Sequence, residues 1–299
     1  MLYKTYSIFF CYCLLNKLYL QCLKKYNLKN ILITGASGGL GKLTSKYFAV
    51  NGWSVIATML DIGLAEDLLD YPNIKCFELD VTSTESIEKA KQNILKEFDT
   101  IDVIINNAGL GYRSFVELSE DSKIDTIVNV NLLGVIKVCR AFIPVFRKQN
   151  RGMFINITSV AGLVNLPLGN FYHATKKAVE SFSECMSYEL LDFNVSVCTV
   201  QFGNAPTNFQ NNVAKCEVSK ISSYEDMMCT INGILKKKTS KNKDLTTKIV
   251  TKLFDIAENP QKSFRKYTIG FDANFMRYLR RILGYRLFNK LIKHFVLKK

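Results

Sequence analysis

The chain has 299 residues, 48% of them apolar and 22% charged, with a formal net charge of +14. That size and composition suit one α/β domain with appended elements and exclude a disordered, collagen-like or small disulfide-stapled chain. The basic excess is Lys spread along the chain without a nucleic-acid-reading motif, so nucleic acid is not the expected partner.

Nine cysteines occur without a CxxC, alongside two histidines, His173 and His294, so no metal site is expected. Cys76, Cys139, Cys185 and Cys198 fall in apolar runs and read as small hydrophobes of a reduced, intracellular protein. Residues 1–28 hold an apolar stretch at 8–15 that Asn16 and Lys17 interrupt. It is shorter than the roughly 20 residues that spanning requires, and no small-residue cleavage site follows. A membrane-dipping anchor and an extra helix packed on the domain both stay open for this extension.

From residue 29 the chain alternates. KNILITG reads as a buried strand, LGKLTSKYFAVNG as a helix, WSVIATM as a second strand, and YPNIKCFELDV contains a third. STESIEKAKQNILKEF is helical in its period and IDVIINNAG is a fourth strand. One long helix is predicted from Ser122 to Gln149, then the strand GMFINITS, a helix through Tyr172 and the strand NVSVCTVQFG. Apolar strands alternating with helices predict a doubly wound parallel sheet of Rossmann type over 29–272. Within it, 204–262 is Lys-, Asn- and Ser-rich and reads as small mobile helices forming a substrate lid. The basic tail 273–299 places Phe275, Leu279, Ile282, Leu283, Leu287, Leu291 and Phe295 on one helical stripe, for packing, homo-oligomerisation or a peripheral membrane contact.

The first strand runs straight into TGASGGLGK. Gly35 allows a tight reversal, Gly39 the approach of a pyrophosphate and Gly41 close packing of helix on sheet, with the phosphates at a helix N-terminus. Downstream stand Asp80-Val81 after strand three, Asn106-Asn107-Ala108-Gly109 after strand four, and Asn131 in NLLG. Ser159 ends strand five, and Tyr172 follows thirteen residues later with Lys176 one helical turn on. Together these motifs resemble the classical branch of the short-chain dehydrogenase/reductase family, most nearly its 17β-hydroxysteroid and retinol dehydrogenase-like group, over roughly residues 29–210.

The resemblance implies that NAD or NADP is held by Gly35, Ser37, Gly39, Leu40, Gly41, Asp80, Val81, Asn107, Ala108, Gly109, Tyr172, Lys176 and Thr207. It implies that Tyr172 is the general acid in reduction and the base in oxidation, and that Ser159 binds the substrate oxygen. Lys176 would tune Tyr172 and bind the nicotinamide ribose, while Asn131 would hold a water that links Lys176 to solvent. A tyrosine has an ordinary pKa of about 10, so a nearby cation would help it work near neutrality. Lys177 points about 100° round the helix from Lys176 and is not expected to take part. His173 is expected to be structural or substrate-lining.

Two departures stand out. The family's PGxVxT reads FGNAPTN here, with Phe202 for proline and Ala205 for the hydrophobe. At the end of strand two stand Met59 and Leu60, with Asp61 a step late, so neither the acid of NAD users nor the arginine of NADP users is in place and the choice stays open. The function expected is an NAD(P)-dependent oxidoreductase interconverting an alcohol with a ketone or aldehyde, on a small apolar substrate suggested by LGYRSF. A cofactor-binding scaffold or sensor without turnover and an extended-type epimerase are the alternatives.

Overall fold

Strand β1 (Asn30–Thr34) is buried at four consecutive positions because helices cover both of its faces. The structure, a computed structural model, describes residues 28–203, 205–206, 209, 213–215, 221–241 and 244–297. After β1 come α1 (Gly39–Val50), β2 (Ser54–Met59), β3 (Ile74–Glu78), α2 (Thr84–Glu97) and β4 (Val103–Asn106). The two-residue β5 (Tyr112–Arg113) precedes α3 (Asp121–Val128), a π-turn (Asn129–Leu133) and α4 (Gly134–Gln149). Then follow β6 (Gly152–Ile157), α5 (Asn170–Glu189), β7 (Val195–Phe202), β8 (Ala214–Lys215), α6 (Ser222–Lys241), α7 (Leu245–Glu258), β9 (Arg265–Ile269) and α8 (Phe271–Leu297).

Seven strands form one sheet in the order β3-β2-β1-β4-β6-β7-β9, and every pairing is parallel. Alternate side chains divide the core. Ile31 and Ile33 of β1 join Phe48, Trp53, Leu253 and Ile256 on one face, while Leu32 joins Ile56, Ile104, Phe142 and Phe154 on the other. Strand order reverses between β1 and β4, and a crevice at such a switch point is where open α/β sheets bind ligands.

Several expectations need correction. The predicted lid over 204–262 is not uniform. Leu245, Ile249, Val250, Leu253, Ile256 and Ala257 are buried, so α7 belongs to the helical layer beside α1, where Phe254 meets Phe48 at 5.1 Å. Strand β9 is an additional edge strand, and its sequence RKYTI lacks an apolar run because only Ile269 is buried. Cys139 and Cys198 are buried as read, but Cys185 is exposed.

The predicted stripe of the tail also fails. Gly284 (φ 59°, ψ −167°) interrupts α8, and a break in helical phase ends any single stripe across it. Phe275, Ile282 and Leu287 are exposed, whereas Phe288, outside the predicted stripe, is buried. The Phe295 side chain and residues 1–27 lie outside the described set. Among the described residues, one helical run, 121–149, is long and apolar enough to cross a membrane. It buries Val135, Val138, Cys139, Phe142 and Phe146, which makes it a core helix of this fold.

Phe48 meets Trp53 at 5.3 Å as well as Phe254, and it is fully buried. Phe48→Ala is expected to cost about 3–5 kcal/mol of stability in urea unfolding.

Candidate active site

The glycine turn between β1 and α1 is shaped by what it has no room for. Gly35 has φ +66°, and a Cβ there would sit 2.9 Å from Ala108 Cα. At Gly41 a Cβ would lie 2.3 Å from Gly35 O and 2.6 Å from Asn107 Nδ2. The turn is therefore pressed against the end of β4. Asn107 Nδ2 donates to Thr34 O (2.9 Å) and Gly35 O (3.2 Å), and Thr34 Oγ1 accepts from the N–H groups of Asn107 and Ala108. Asn107 thus clasps the turn with its side chain.

Helix α1 begins at Gly39, itself at φ +53°, with Gly38 as an N-cap that offers no side-chain hydrogen bond and no acid in the first turn. The free N–H groups and the positive end of the dipole are thereby left for an anion. Ser37 is half-buried on the turn, whereas the Leu40 side chain packs on the core, leaving its backbone for any cofactor contact. The turn fits a dinucleotide pyrophosphate.

Asp80 Oδ1 accepts from the backbone and hydroxyl of Thr82, and Val81 packs where a Cβ on Gly134 would come within 2.9 Å of it. At the end of β2, Met59 is buried and Leu60 exposed. Asp61 turns back to accept from Gly63 N at 2.8 Å. These contacts leave the NAD and NADP readings equally open.

Helix α5 carries Tyr172, Lys176 and Glu180 at steps of four on one face. Lys176 is 4% exposed, and its Nζ donates to Ile157 O at 2.9 Å and lies 5.8 Å from the Tyr172 ring centroid. A Cβ on Gly109 would stand 3.4 Å from Asn131 Oδ1 and 3.5 Å from Lys176 Nζ, so β4's exit, the π-turn and α5 converge at this glycine. Asn131 is fully buried: Nδ2 donates to Leu110 O (2.8 Å) and Oδ1 accepts from Leu110 N (2.7 Å). That pair of bonds commits both ends of the amide to the chain after Gly109. Ser159 Oγ accepts from Ala161 N at 3.1 Å and donates to Phe202 O at 3.4 Å.

Burial raises the Tyr172 pKa, while the Ser159 hydroxyl and the Arg113 charge oppose the rise. Burial pushes Lys176 down to about 8, with the Glu180 carboxylate opposing. The cation expected to favour the phenolate was Lys176. Its ammonium donates to Ile157 O and lies 5.8 Å from the Tyr172 ring centroid, and the positive charge of Arg113 also favours the phenolate.

Arg113 and Glu180 carry no motif in the sequence. Glu180 is buried and accepts from the hydroxyls of Thr158 and Thr199, joining α5 to β6 and β7. Lys177 is exposed. His173 Nδ1 faces the carbonyls of Ala161 (2.9 Å) and Val164 (2.7 Å), a structural clamp on the turn after Ser159. Around the mouth, Tyr112 stacks on Phe171 at 5.9 Å, Phe115 on Tyr224 at 3.8 Å, and Phe209 lies 6.0 Å from Tyr172. Thr207 lies outside the described residues; Gly203 is tight against Asp272, whose Oδ2 would be 2.3 Å from a Cβ.

A dinucleotide turn at the switch point, with these side chains gathered beside it, defines the class: a Rossmann-type oxidoreductase using NAD or NADP. Residues 29–217 match the short chain dehydrogenase family, and the chain belongs to it. It is 37% identical over 182 residues to a 3-ketodihydrosphingosine reductase of Bacteroides thetaiotaomicron, covering 61% of this chain and 66% of that protein. It is 32% identical over 190 residues to an NADP-dependent 3-hydroxy acid dehydrogenase of Schizosaccharomyces pombe, covering 60% and 73%. The chain thus spans about two thirds of the length of these curated relatives. A short-chain dehydrogenase from Streptomyces avermitilis shares the fold, with TM-score 0.75, 24% identity, and 86% and 96% of the two chains covered. One from Burkholderia phymatum in complex with NAD does so at TM-score 0.75 and 21% identity, covering 86% and 94%.

A Cβ on Gly38 would meet nothing within 4 Å, unlike one on Gly41. Gly41→Ala is expected to weaken dinucleotide binding at least about tenfold in titration calorimetry, a change of ~1.4 kcal/mol, with Gly38→Ala retaining the fold. Lys176 gives a second expectation. Its folded pKa of about 8 lies below the ordinary 10.5, so the native state binds fewer protons between those values. The cost of burying its charge is full below about 8 and is relieved as pH rises toward 10.5. Urea unfolding across pH should find the stability of the parent rising relative to that of Lys176→Met through that window.

Proposed function

We propose that the chain interconverts an alcohol with a ketone or aldehyde on an apolar substrate, with Tyr172 as the general acid and base. The observation that carries this reading is Tyr172 held one turn from the buried Lys176, whose Nζ lies 5.8 Å from the tyrosine ring centroid, with the Ser159 hydroxyl acting to lower the tyrosine pKa. The bound dinucleotide supplies or accepts the hydride. In reduction the Tyr172 hydroxyl gives its proton to the substrate oxygen, while Ser159 Oγ donates a hydrogen bond to that same oxygen as charge develops on it. Arg113 favours the phenolate that results.

Lys176, with a pKa pushed down to about 8, is poised to restore the proton near neutral pH. Because both ends of the Asn131 amide bind Leu110, any water that Asn131 holds for this relay is assigned to its main chain, which lies in the π-turn. Asp80 and Val81 are assigned to the adenine side, Asn107, Ala108 and Gly109 to the cleft wall, and Thr207 to the nicotinamide amide.

The apolar substrate is supported by the aromatic rings at the mouth, and by exposed Leu110. The names of the two curated relatives, a 3-keto and a 3-hydroxy compound, fit a carbonyl or hydroxyl set into a longer chain. We assign α6, whose Tyr224 stacks on Phe115, to the lid over this mouth.

Tyr172→Phe is expected to lower kcat by about 10²–10⁴-fold on a panel of ketones and alcohols while dinucleotide affinity holds. Turnover equal to the parent's would sink the proposal.

A further inference from the structure

The first half of α8 wears its apolar face outward. Phe271, Phe275, Tyr278 and Ile282 are 86%, 51%, 67% and 61% exposed. Their spacing of four, three and four puts them in an arc of about 60° at roughly 100° per residue. Round the helix from it, Ala273 is buried and Met276, Leu279 and Leu283 are half-buried, so one flank and the far side face the domain. Phe271 and Phe275 stack on each other at 6.1 Å. Beyond Gly284 the exposure continues with Tyr285 and Leu287. The break is held by Arg280, whose guanidinium lies 4.7 Å from the Tyr285 ring and 5.2 Å from that of Phe288.

Charge selects the occupant. Residues 263–299 hold ten Lys or Arg against one acid, Asp272, and that carboxylate is turned inward against Gly203. Arg281 is exposed on this half of α8, and Arg286, Lys290 and Lys293 are exposed beyond the break. Two copies of such a face would bring cations onto cations with no acid between them. An anionic bilayer instead accepts both parts, aromatic and aliphatic side chains at the headgroup boundary and cations among the phosphates.

From this we infer that the outer face of α8 is a docking surface for an anionic lipid membrane. The test is flotation of the full-length protein with vesicles of phosphatidylcholine alone or mixed with phosphatidylserine. The expected result is at least about tenfold more protein on the mixed vesicles, weakened by salt. The pair Phe275→Ser with Ile282→Ser, and separately Arg281→Glu with Arg286→Glu, should each remove that excess while dinucleotide binding stays at the parent level. Equal flotation on both vesicle types, or none, overturns the inference. So does a stripe variant that floats like the parent, including the case where deleting residues 1–27 alone abolishes binding. A stripe variant that converts a dimer to a monomer by light scattering, with no change on vesicles, assigns the face to a second copy and overturns it too.

Discussion

Helix α5 cannot turn or slide on the sheet without stranding buried polar groups. Three rungs join it to β6 and β7: Lys176 Nζ donates to Ile157 O, Glu180 accepts from the hydroxyls of Thr158 and Thr199, and Ser183 Oγ accepts from Asn156 Nδ2. Each lies about one helical turn from the next, and leaving one unpaired costs about 1–3 kcal/mol. An apolar interface would hold the helix in place far less specifically, since side chains can repack. The same rungs position what projects above them. Tyr172 stands one turn before Lys176, and Ser159 follows Thr158 directly in the chain. The ladder extends sideways as well, because Asn156 Oδ1 accepts from Asn106 Nδ2 at the end of β4. The strand that leads into Gly109 is thus tied to the helix that carries Lys176.

The cleft on the other side of β4 is built by the opposite means, subtraction of side chains. Gly35 and Gly41 have no room for a Cβ, and Asn107 fills the remaining hydrogen-bonding positions. Acidic side chains are kept out of the first turn of α1, so the helix end is not neutralised by the protein's own carboxylates. One half of the site is therefore dense with buried polar pairs and the other is bare backbone.

How much of this could be read from sequence depended on whether burial left a pattern. Strands β1, β2, β4 and β6 were legible because both faces are covered and their buried runs are almost wholly apolar. Strand β9 was not, since an edge strand with Arg265 and Lys266 exposed has the composition of a loop. Helix α7 was hidden by its setting among polar segments, although its buried positions recur at helical spacing. Tyr172, Lys176, Ser159 and the glycine turn were legible through their fixed spacing. Glu180 was not, because an acid on a helix ordinarily marks a solvated face, and only the packing reveals that Thr158 and Thr199 lie opposite it. Arg113 sits on a strand of two residues, too short to leave any period. The π-turn has no compositional mark either: NVNLL reads as uninterrupted helix.

That π-turn has a consequence for how the site can change over generations. It closes i→i+5 hydrogen bonds where an α-helix closes i→i+4, so deleting one residue there would let α3 run into α4 as regular helix. Val135, Val138, Phe142 and Phe146 would keep their places on the sheet, while the backbone around Asn131 would lose its bulge. A point substitution can erase the Asn131 amide, but it cannot straighten the helix. The bulge is in this sense a frame fixed by chain length, and descendants of this sequence can vary the residue it presents far more readily than the place where it is presented.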